Sequence, residues 1–271
     1  MILRIAVLLI AALGNLCAAA PASPGYAAYE RANSLFAAQK FPEAQAAIDE
    51  ALRLDPKLVP ALTLRAKLAM GTNNFAQARA SLEQALAIDP KMQYAQFLYG
   101  LEAYLRNDMQ AALPRFRKAQ ELNPADPRAT LYLGLASESL GDTAEALSRY
   151  EEAVRLEKTA GASQAETYLP GARLLFLLGR FDDAERWIRE ALKLAPEMRD
   201  PHFELARLQL RKGESEQAAK EAEIALARGG GIVTDAQIHY LLIRAYRESG
   251  QAEKAAEHAA LLRALEAPIG K

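Results

Sequence analysis

The chain has 271 residues, of which 51% are hydrophobic and 25% are charged, which is the composition of a folded protein with a substantial core. Its formal net charge is −1, so the chain has no excess of basic residues. Binding to nucleic acid or to an anionic membrane surface is therefore not expected. Its one cysteine, Cys17, excludes an internal disulfide and a zinc site built from cysteines.

The first 22 residues differ from the rest of the chain. Arg4 precedes an apolar run from Ile5 to Leu13, and small residues follow through Ala22. A positive start, a short apolar run and an alanine-rich exit are typical of a secretory signal peptide. We therefore predict that residues 1–22 are a signal peptide, and that the mature chain is exported to the periplasm or cell envelope of a bacterium.

Two other fates of this segment remain as alternatives. Cys17 could carry a lipid anchor, although Leu16 stands where lipoprotein signals have a small residue. The apolar run could also be kept as an anchor, but Gly14 and Asn15 interrupt it before it reaches the ~20 apolar residues that a span needs. We expect no membrane span in the mature chain.

From residue 25 onward one pattern recurs with a period of 34 residues. Proline returns at Pro56, Pro90 and Pro124, and the twentieth place of every unit is an alanine: Ala44, Ala78, Ala112, Ala146, Ala184, Ala218 and Ala255. The seven units are 25–58, 59–92, 93–126, 127–160, 165–198, 199–232 and 236–269. Such a repeat predicts stacked helix pairs.

Each unit is predicted to hold two helices of three to four turns. The turn between them carries glycine or a polar pair, which tolerates a left-handed backbone, at Gln39-Lys40, Asn73-Asn74, Asn107-Asp108, Gly141-Asp142, Gly179-Arg180, Gly213-Glu214 and Gly250-Gln251. The eighth place is small in six units, at Ala32, Ala66, Gly100, Gly134, Ala172 and Ala206. Small side chains allow the two helices to approach closely.

Across residues 25–269 this pattern resembles the tetratricopeptide repeat. The resemblance implies an all-α protein, a right-handed superhelical solenoid of about seven helix-turn-helix repeats that forms a single domain. The first helix of each repeat would line a concave groove. The chain departs from the family pattern where a large aromatic is expected early in the first helix, for example at Ala28 and Leu62, and the last unit has Ile243 at the small eighth place.

The family implies that the groove is lined by the second, fifth, ninth, twelfth and thirteenth places of the first helices. In the early units these places hold Tyr26, Tyr29, Phe36, Tyr94, Phe97 and Tyr104, together with Leu101, Leu131 and Leu135. In the late units they hold Arg173, Arg207 and Arg244, with Arg211 and Arg247 nearby. We expect the aromatic residues to receive apolar side chains of a bound peptide or helix, and the arginines to bind acidic groups.

Both zones also have a purely structural interpretation. The aromatic residues could cover neighbouring turns, and acidic residues on the same helices could neutralise the arginines: Glu166, Asp200, Glu204 and Glu248. A clamp of the type that binds chaperone tails is not expected. The positions of the first three units that correspond to such a clamp hold Tyr29, Asn33, Leu64, Tyr94 and Leu98. Only Asn33 matches the residue type that the clamp requires.

No motif indicates an enzyme. His202 and His239 share one place in adjacent units, but equivalent helices lie ~8–10 Å apart, too far for both rings to bind one metal ion without help. A phosphate loop, a metalloprotease motif and a nucleophile elbow are all missing from the sequence. We therefore expect no catalytic residue, no metal and no cofactor.

These observations favour a non-catalytic scaffold for protein–protein interaction in a cell-envelope assembly or secretion system, with a protein or peptide as its partner. The alternative is a structural module that self-associates into a homo-oligomer. The chain ends at Lys271 directly after the second helix of the last unit, and solenoids normally need a capped end.

Overall fold

The computed structural model describes residues 23–229 and 231–266. The predicted signal peptide at residues 1–22, with Cys17, lies outside the described residues. All regular structure in the described residues is α-helical.

The helices fall into two compact units, Met1–Glu145 and Ala146–Lys271, and the division lies within one helix. The first seven helices are α1 (Pro24–Ala37), α2 (Phe41–Leu54), α3 (Val59–Gly71), α4 (Phe75–Ile88), α5 (Gln93–Leu105), α6 (Met109–Leu122) and α7 (Pro127–Ser139). The division falls in α8 (Thr143–Ala160). The remaining helices are α9 (Ala165–Leu177), α10 (Phe181–Leu194), α11 (Arg199–Lys212), α12 (Ser215–Ala227), α13 (Asp235–Glu248) and α14 (Ala252–Glu266).

Helices that follow each other in a repeat pack as antiparallel hairpins. In the first unit these are α1 with α2, α3 with α4 and α5 with α6; in the second they are α9 with α10, α11 with α12 and α13 with α14. The first helices of successive repeats also contact each other, α1 to α3 to α5 to α7 in one unit and α9 to α11 to α13 in the other. The predicted all-α repeat solenoid is confirmed, whereas its description as a single domain remains a prediction.

The predicted turns between paired helices adopt the left-handed backbone. Positive φ angles occur at Gln39, Asn73, Asn107, Gly141, Gly179, Gly213 and Gly250, one in each repeat. Early repeats use glutamine or asparagine at this position, with φ near 60°. Late repeats use glycine, which adopts the same region at no steric cost.

Small residues mark the closest approach of the two helices in a repeat. The seven alanines at the twentieth place are fully buried or nearly so, from 0% exposed at Ala44 to 3% at Ala255. At Gly100 in α5, a Cβ atom would lie 2.6 Å from the ring of Phe116 in α6. Any side chain there would therefore displace a fully buried phenylalanine, so the packing explains why this place is small.

The loop before the last repeat is fixed by two neighbouring residues of α11. The Asp200 carboxylate accepts hydrogen bonds from the backbone N–H groups of Ile232 and Val233 at 3.0–3.1 Å. The Arg199 guanidinium donates to the carbonyl oxygens of Arg228 at 2.8 Å and Ala225 at 3.1 Å, near the end of α12. These bonds satisfy backbone groups that a helix end leaves without partners.

Candidate functional site

The predicted groove residues lie on first helices that contact one another from repeat to repeat, namely α1, α5, α7, α9, α11 and α13. Each compact unit therefore has an inner face made by its own first helices. The first unit carries the aromatic residues, and the second carries the arginines.

Two of the predicted aromatic residues belong to the core of the first unit. Tyr29 is 8% exposed and Phe97 only 3%. The Phe97 ring lies 5.5 Å from Tyr132, nearly perpendicular to it, and 5.9 Å from Phe116. Phe97 therefore has almost no surface to offer a ligand, and its main contribution is to packing.

The other four predicted aromatic residues are half-buried and pack against neighbouring rings. Tyr26 lies 5.5 Å from Tyr29, and Tyr104 lies 5.5 Å from Tyr132 in an edge contact. Phe36 makes a similar edge contact of 5.7 Å, with Phe41. Such pairs stabilise the fold beyond the area they bury, so this zone is largely occupied by contacts within the chain.

Tyr94 lies beside the guanidinium group of Arg128, which was not among the predicted groove residues. The guanidinium carbon of Arg128 on α7 is 5.5 Å from the ring centres of both Tyr94 and Phe97. Burial raises the pKa of Tyr94 to about 12, although the charge of Arg128 opposes the rise. Arg128 occupies the second place of its first helix, so the family's groove places could have identified it.

In the second unit, two of the three predicted arginines share one buried carboxylate. Arg173 Nε donates to Glu204 Oε1 at 2.7 Å, and Arg207 Nη1 donates to Glu204 Oε2 at 2.6 Å. Glu204 is 5% exposed. The Arg173 guanidinium also lies 3.9 Å from Asp200. Neutralisation by acidic neighbours, the alternative for this zone, therefore holds for Arg173 and Arg207.

Arg244 and the neighbouring Arg211 differ from Arg173 and Arg207 in their exposure and in their contacts with acidic residues. Arg244 has 56% of its side chain exposed, and its contact with Glu248 is long, at 3.5 Å. Arg211 is exposed and makes neither an ion pair nor a side-chain hydrogen bond with any residue that the structure describes. Both guanidinium groups therefore keep donors for an acidic partner.

These two arginines border a pocket of about 300 Å³ between α9, α11 and α13. Its residues are Phe176, Phe203, Arg207, Leu210, Arg211, Gln237, Tyr240, Leu241 and Arg244. The guanidinium carbon of Arg207 lies 4.8 Å from the centre of the Phe176 ring, so these two lining residues contact each other. The tyrosine of this set, Tyr240, is 62% exposed.

The pocket combines an apolar base with cationic and hydroxyl groups around it. Such a surface suits an apolar or aromatic side chain with an acidic group close by. Arg207 and Arg244 of this pocket were predicted from the sequence, whereas Phe176, Phe203 and Tyr240 were not. These three occupy the fifth and twelfth places of their first helices, so the signal was present in the sequence.

The three histidines take part in contacts within the second unit. His202 bonds through Nδ1 to Glu221 at 2.7 Å and through Nε2 to the carbonyl of Pro196 at 2.9 Å. His239 bonds instead to His258, with 2.9 Å between their Nδ1 atoms. His202 and His239 therefore face different partners. Among the described residues no group of three or more His, Cys, Asp or Glu side chains could hold a metal ion.

No helix within residues 23–229 and 231–266 has the length and apolar character needed to cross a membrane.

The paired helices, left-handed turns and first-helix contacts define an all-α helical repeat protein. The sequence matches the tetratricopeptide repeat family at residues 29–61, 63–127, 102–165, 140–199 and 203–268. The chain belongs to the tetratricopeptide repeat family, as the resemblance predicted. No curated protein matches it in sequence.

Several solved structures share this fold at low sequence identity. A chain of the APC/C hetero-tetramer Cut9-Hcn1 aligns with a TM-score of 0.71 and 18% identity. The alignment covers 82% of the present protein and 42% of the matched chain. PilF of Pseudomonas aeruginosa aligns with a TM-score of 0.52 and 18% identity over 89% of this chain and 91% of its own. PilW, a type IV pilus biogenesis factor, aligns with a TM-score of 0.50 and 21% identity over 90% and 94%.

Proposed function

We propose that this protein is a non-catalytic scaffold that binds a segment of a partner protein on the inner face of its second unit. The observation that carries the proposal is the pocket between α9, α11 and α13, where Arg211 and Arg244 stand beside apolar residues without tight acidic partners. Tetratricopeptide repeat proteins generally act as scaffolds for protein–protein interaction. The ligand we expect is a peptide or helix that presents an aromatic or aliphatic side chain next to Asp or Glu.

The setting we propose is the bacterial cell envelope, in an assembly or secretion system. The signal-like sequence of residues 1–22 supports export. The likeness in fold to PilW, a type IV pilus biogenesis factor, supports a role in assembly.

Selection of peptides on the purified protein tests this function. A displayed random peptide library would be selected on wild type, and the enriched peptides would then be measured on the double variant Arg211→Glu/Arg244→Glu. The control is Arg117→Glu/Arg263→Glu, which makes the same change of charge at two exposed arginines outside the pocket.

We expect the enriched peptides to carry an acidic residue beside an apolar one. Each charged hydrogen bond contributes about 1.5–3 kcal/mol, so the pocket variant should bind them at least about tenfold more weakly. The control variant should bind as wild type does. Equal affinity for both variants would place binding outside the pocket and contradict the proposal.

Self-association is a second candidate, which the last helix favours. Leu261 and Leu265 of α14 are 44% and 54% exposed, an uncovered apolar pair on one helix face. Sedimentation of wild type against Leu261→Glu/Leu265→Glu tests this candidate, which predicts a concentration-dependent oligomer that the variant loses. A wild-type protein that stays monomeric at all concentrations would exclude it.

A further inference from the structure

Two histidines of the last repeat contact each other through the same ring nitrogen. The Nδ1 atoms of His239 on α13 and His258 on α14 are 2.9 Å apart, and the ring centres are 5.1 Å apart. The two nitrogens therefore face each other between the helices. Because 2.9 Å is a hydrogen-bond distance, one Nδ1 carries a proton and the other accepts it.

This hydrogen bond permits only some protonation states of the pair. A neutral imidazole has one N–H group and one acceptor nitrogen, whereas a charged imidazole has two N–H groups and no acceptor. The pair can therefore be neutral or carry one positive charge. When both rings are charged, two N–H donors oppose each other, so the hydrogen bond is lost and like charges stand in contact.

The surroundings of the pair disfavour a second charge. His239 is 6% exposed, and His258 stacks on the Tyr246 ring with 5.6 Å between the ring centres. Burial, and after it the charge of His239, lower the pKa of His258 below its ordinary value. His202 pairs with Glu221, but neither ring of the pair has an ion pair with a carboxylate within the described residues. No anion in contact with the rings therefore offsets the second charge.

The other charged groups that act on His258 lie on α12 and α14. Glu223 of α12 and Glu257 of α14 favour its charged form, and Lys254 of α14 opposes it. Glu223 accepts a hydrogen bond from the Tyr246 hydroxyl, and burial raises the pKa of Tyr246, so this hydroxyl keeps its proton in acid. The Lys254 ammonium lies 4.9 Å from the Tyr246 ring centre. The net effect of all these groups on the pKa of His258 is still a decrease.

Helix α14 has little else that attaches it to the second unit. It packs chiefly against α13, and Ala255 is its one buried residue, whereas α12 buries five residues and α2 buries four. Leu261 and Leu265 of α14 are exposed. An element with few buried apolar contacts opens at low cost in free energy. The histidine pair is therefore a large part of the attachment of α14.

We propose that His239 and His258 form an acid-sensitive latch, which holds α14 on α13 near neutral pH and releases it when both rings are charged. Release would turn α14 about the loop at Gly250, where φ is 76°, and would uncover the Tyr246 ring, which is 2% exposed in the latched state. No residue that lines the pocket between α9, α11 and α13 belongs to α14. The latch therefore does not rest on the binding function proposed for that pocket.

The direction of the response follows from the chemistry of the latched state. The pKa of His258 is lower in the folded protein than in a released helix, so the released state binds more protons in acid. Attachment is complete above the ordinary histidine value near 6.5, and it is lost as the pH falls through the lower folded pKa.

Hydrogen–deuterium exchange of the whole purified protein, read by mass spectrometry, tests the latch. Exchange would be measured at about pH 7.5 and about pH 5, on either side of the histidine range, and corrected for the intrinsic effect of pH on exchange. The proteins are wild type, His258→Gln, His239→Gln and the control His202→Gln. The control removes the third histidine, which contacts Glu221 and Pro196 instead.

We expect α14 of the wild type to exchange at least about threefold faster in acid, since loss of one hydrogen bond corresponds to roughly two- to tenfold in an opening equilibrium. Helix α9 of the same unit should show no such change. Both His258→Gln and His239→Gln leave one titrating ring, so the doubly charged pair cannot form and α14 should be equally protected at both pH values. The control should open in acid as the wild type does.

Three results would overturn the inference: equal protection of α14 in the wild type at both pH values, acid opening that persists in both pair variants, or loss of the opening in His202→Gln. An NMR titration of the wild type adds a measurement that needs no variant. The two rings should titrate in two separate steps, with the signals of the Tyr246 ring changing at the second step. Independent titration of the two rings with unchanged Tyr246 signals would also contradict the latch.

Discussion

The inner faces of the two units are built from the same places of their first helices. They differ in whether the side chains at those places are available to bind a ligand. In the first unit the aromatic side chains mostly contact each other, as Phe97 does with Phe116 and Tyr132. In the second unit Arg173 and Arg207 share Glu204, whereas Arg211 and Arg244 keep donors for a ligand. A favourable position in the repeat therefore makes a residue a candidate for binding, and its neighbours decide whether it is available.

The largest effect we expect concerns the packed aromatic cluster of the first unit. Phe97→Ala would leave a cavity between Phe116 and Tyr132 and should lower the free energy of unfolding by about 4 kcal/mol. Tyr240→Ala, at an exposed ring of the second unit, should change it by less than about 0.5 kcal/mol. Urea denaturation measures both. Equal costs would show that the two faces do not differ in this way.

The shared carboxylate of the second unit should come next. Glu204→Gln would leave the Arg173 and Arg207 guanidinium groups side by side without their common anion. We expect a loss of about 3 kcal/mol in unfolding free energy, because removing one partner leaves charges that are mostly withdrawn from water. Glu248→Gln, which faces the exposed Arg244, is the matched control and should cost under about 1 kcal/mol. A similar small cost at Glu204 would mean that Arg173 and Arg207 are as free as Arg244.

A smaller effect is expected at the close approach of α5 and α6. Gly100→Ala would press its new methyl group against the buried Phe116 ring, and we expect a loss of about 2 kcal/mol from overpacking. At Gly71, the last residue of α3, a Cβ atom meets nothing within 4 Å. Gly71→Ala should therefore be neutral or stabilising, by up to about 1 kcal/mol, through helix propensity. Thermal unfolding of both variants tests whether packing, rather than the loss of glycine, sets the result.

The smallest effects concern the histidines of the second unit, which should respond to pH in opposite directions. The hydrogen bond to Glu221 raises the pKa of His202, and its Nε2 faces a carbonyl oxygen, so both ring nitrogens donate in the charged form. Burial first, and His239 second, lower the pKa of His258. His202 therefore adds stability in acid that is lost as the pH rises through its folded pKa. His258 reduces stability as the pH falls below its unfolded pKa.

Unfolding free energies measured between about pH 5 and pH 8 test this pair, since an ordinary histidine titrates near 6.5. His202→Gln should flatten the loss of stability on the alkaline side of the range. His258→Gln should flatten the loss on the acid side. If both variants change the same side, the two rings do not titrate as their contacts indicate.

The sequence predicted the fold well because the repeat places carry the packing. The alanines at the twentieth place and the glycines or polar residues in the turns are constrained by short-range geometry, which recurs in every unit. The left-handed residues at Asn73 and Gly213, for example, both occur where the turn was predicted.

The candidate site was harder to predict, because availability depends on contacts between repeats. Arg173 and Arg244 each occupy the ninth place of their own repeat. Arg173 nevertheless bonds to Glu204, which lies 31 residues further along the chain in the next repeat. The prediction for the early units selected aromatic residues and leucines, and it passed over Lys67 and Arg128, which also occupy groove places of first helices. Whether a groove side chain is paired or available depends on its contacts with other side chains. Its position in the repeat does not specify those contacts.

The most direct test of the central claim is the reactivity of the arginines, measured by phenylglyoxal labelling and mass spectrometry with and without a peptide selected on the protein. The account predicts fast labelling at Arg211 and Arg244, slow labelling at Arg173 and Arg207, and protection of Arg211 and Arg244 by the peptide. Equal labelling of all four arginines, or a bound peptide that protects neither Arg211 nor Arg244, would contradict it.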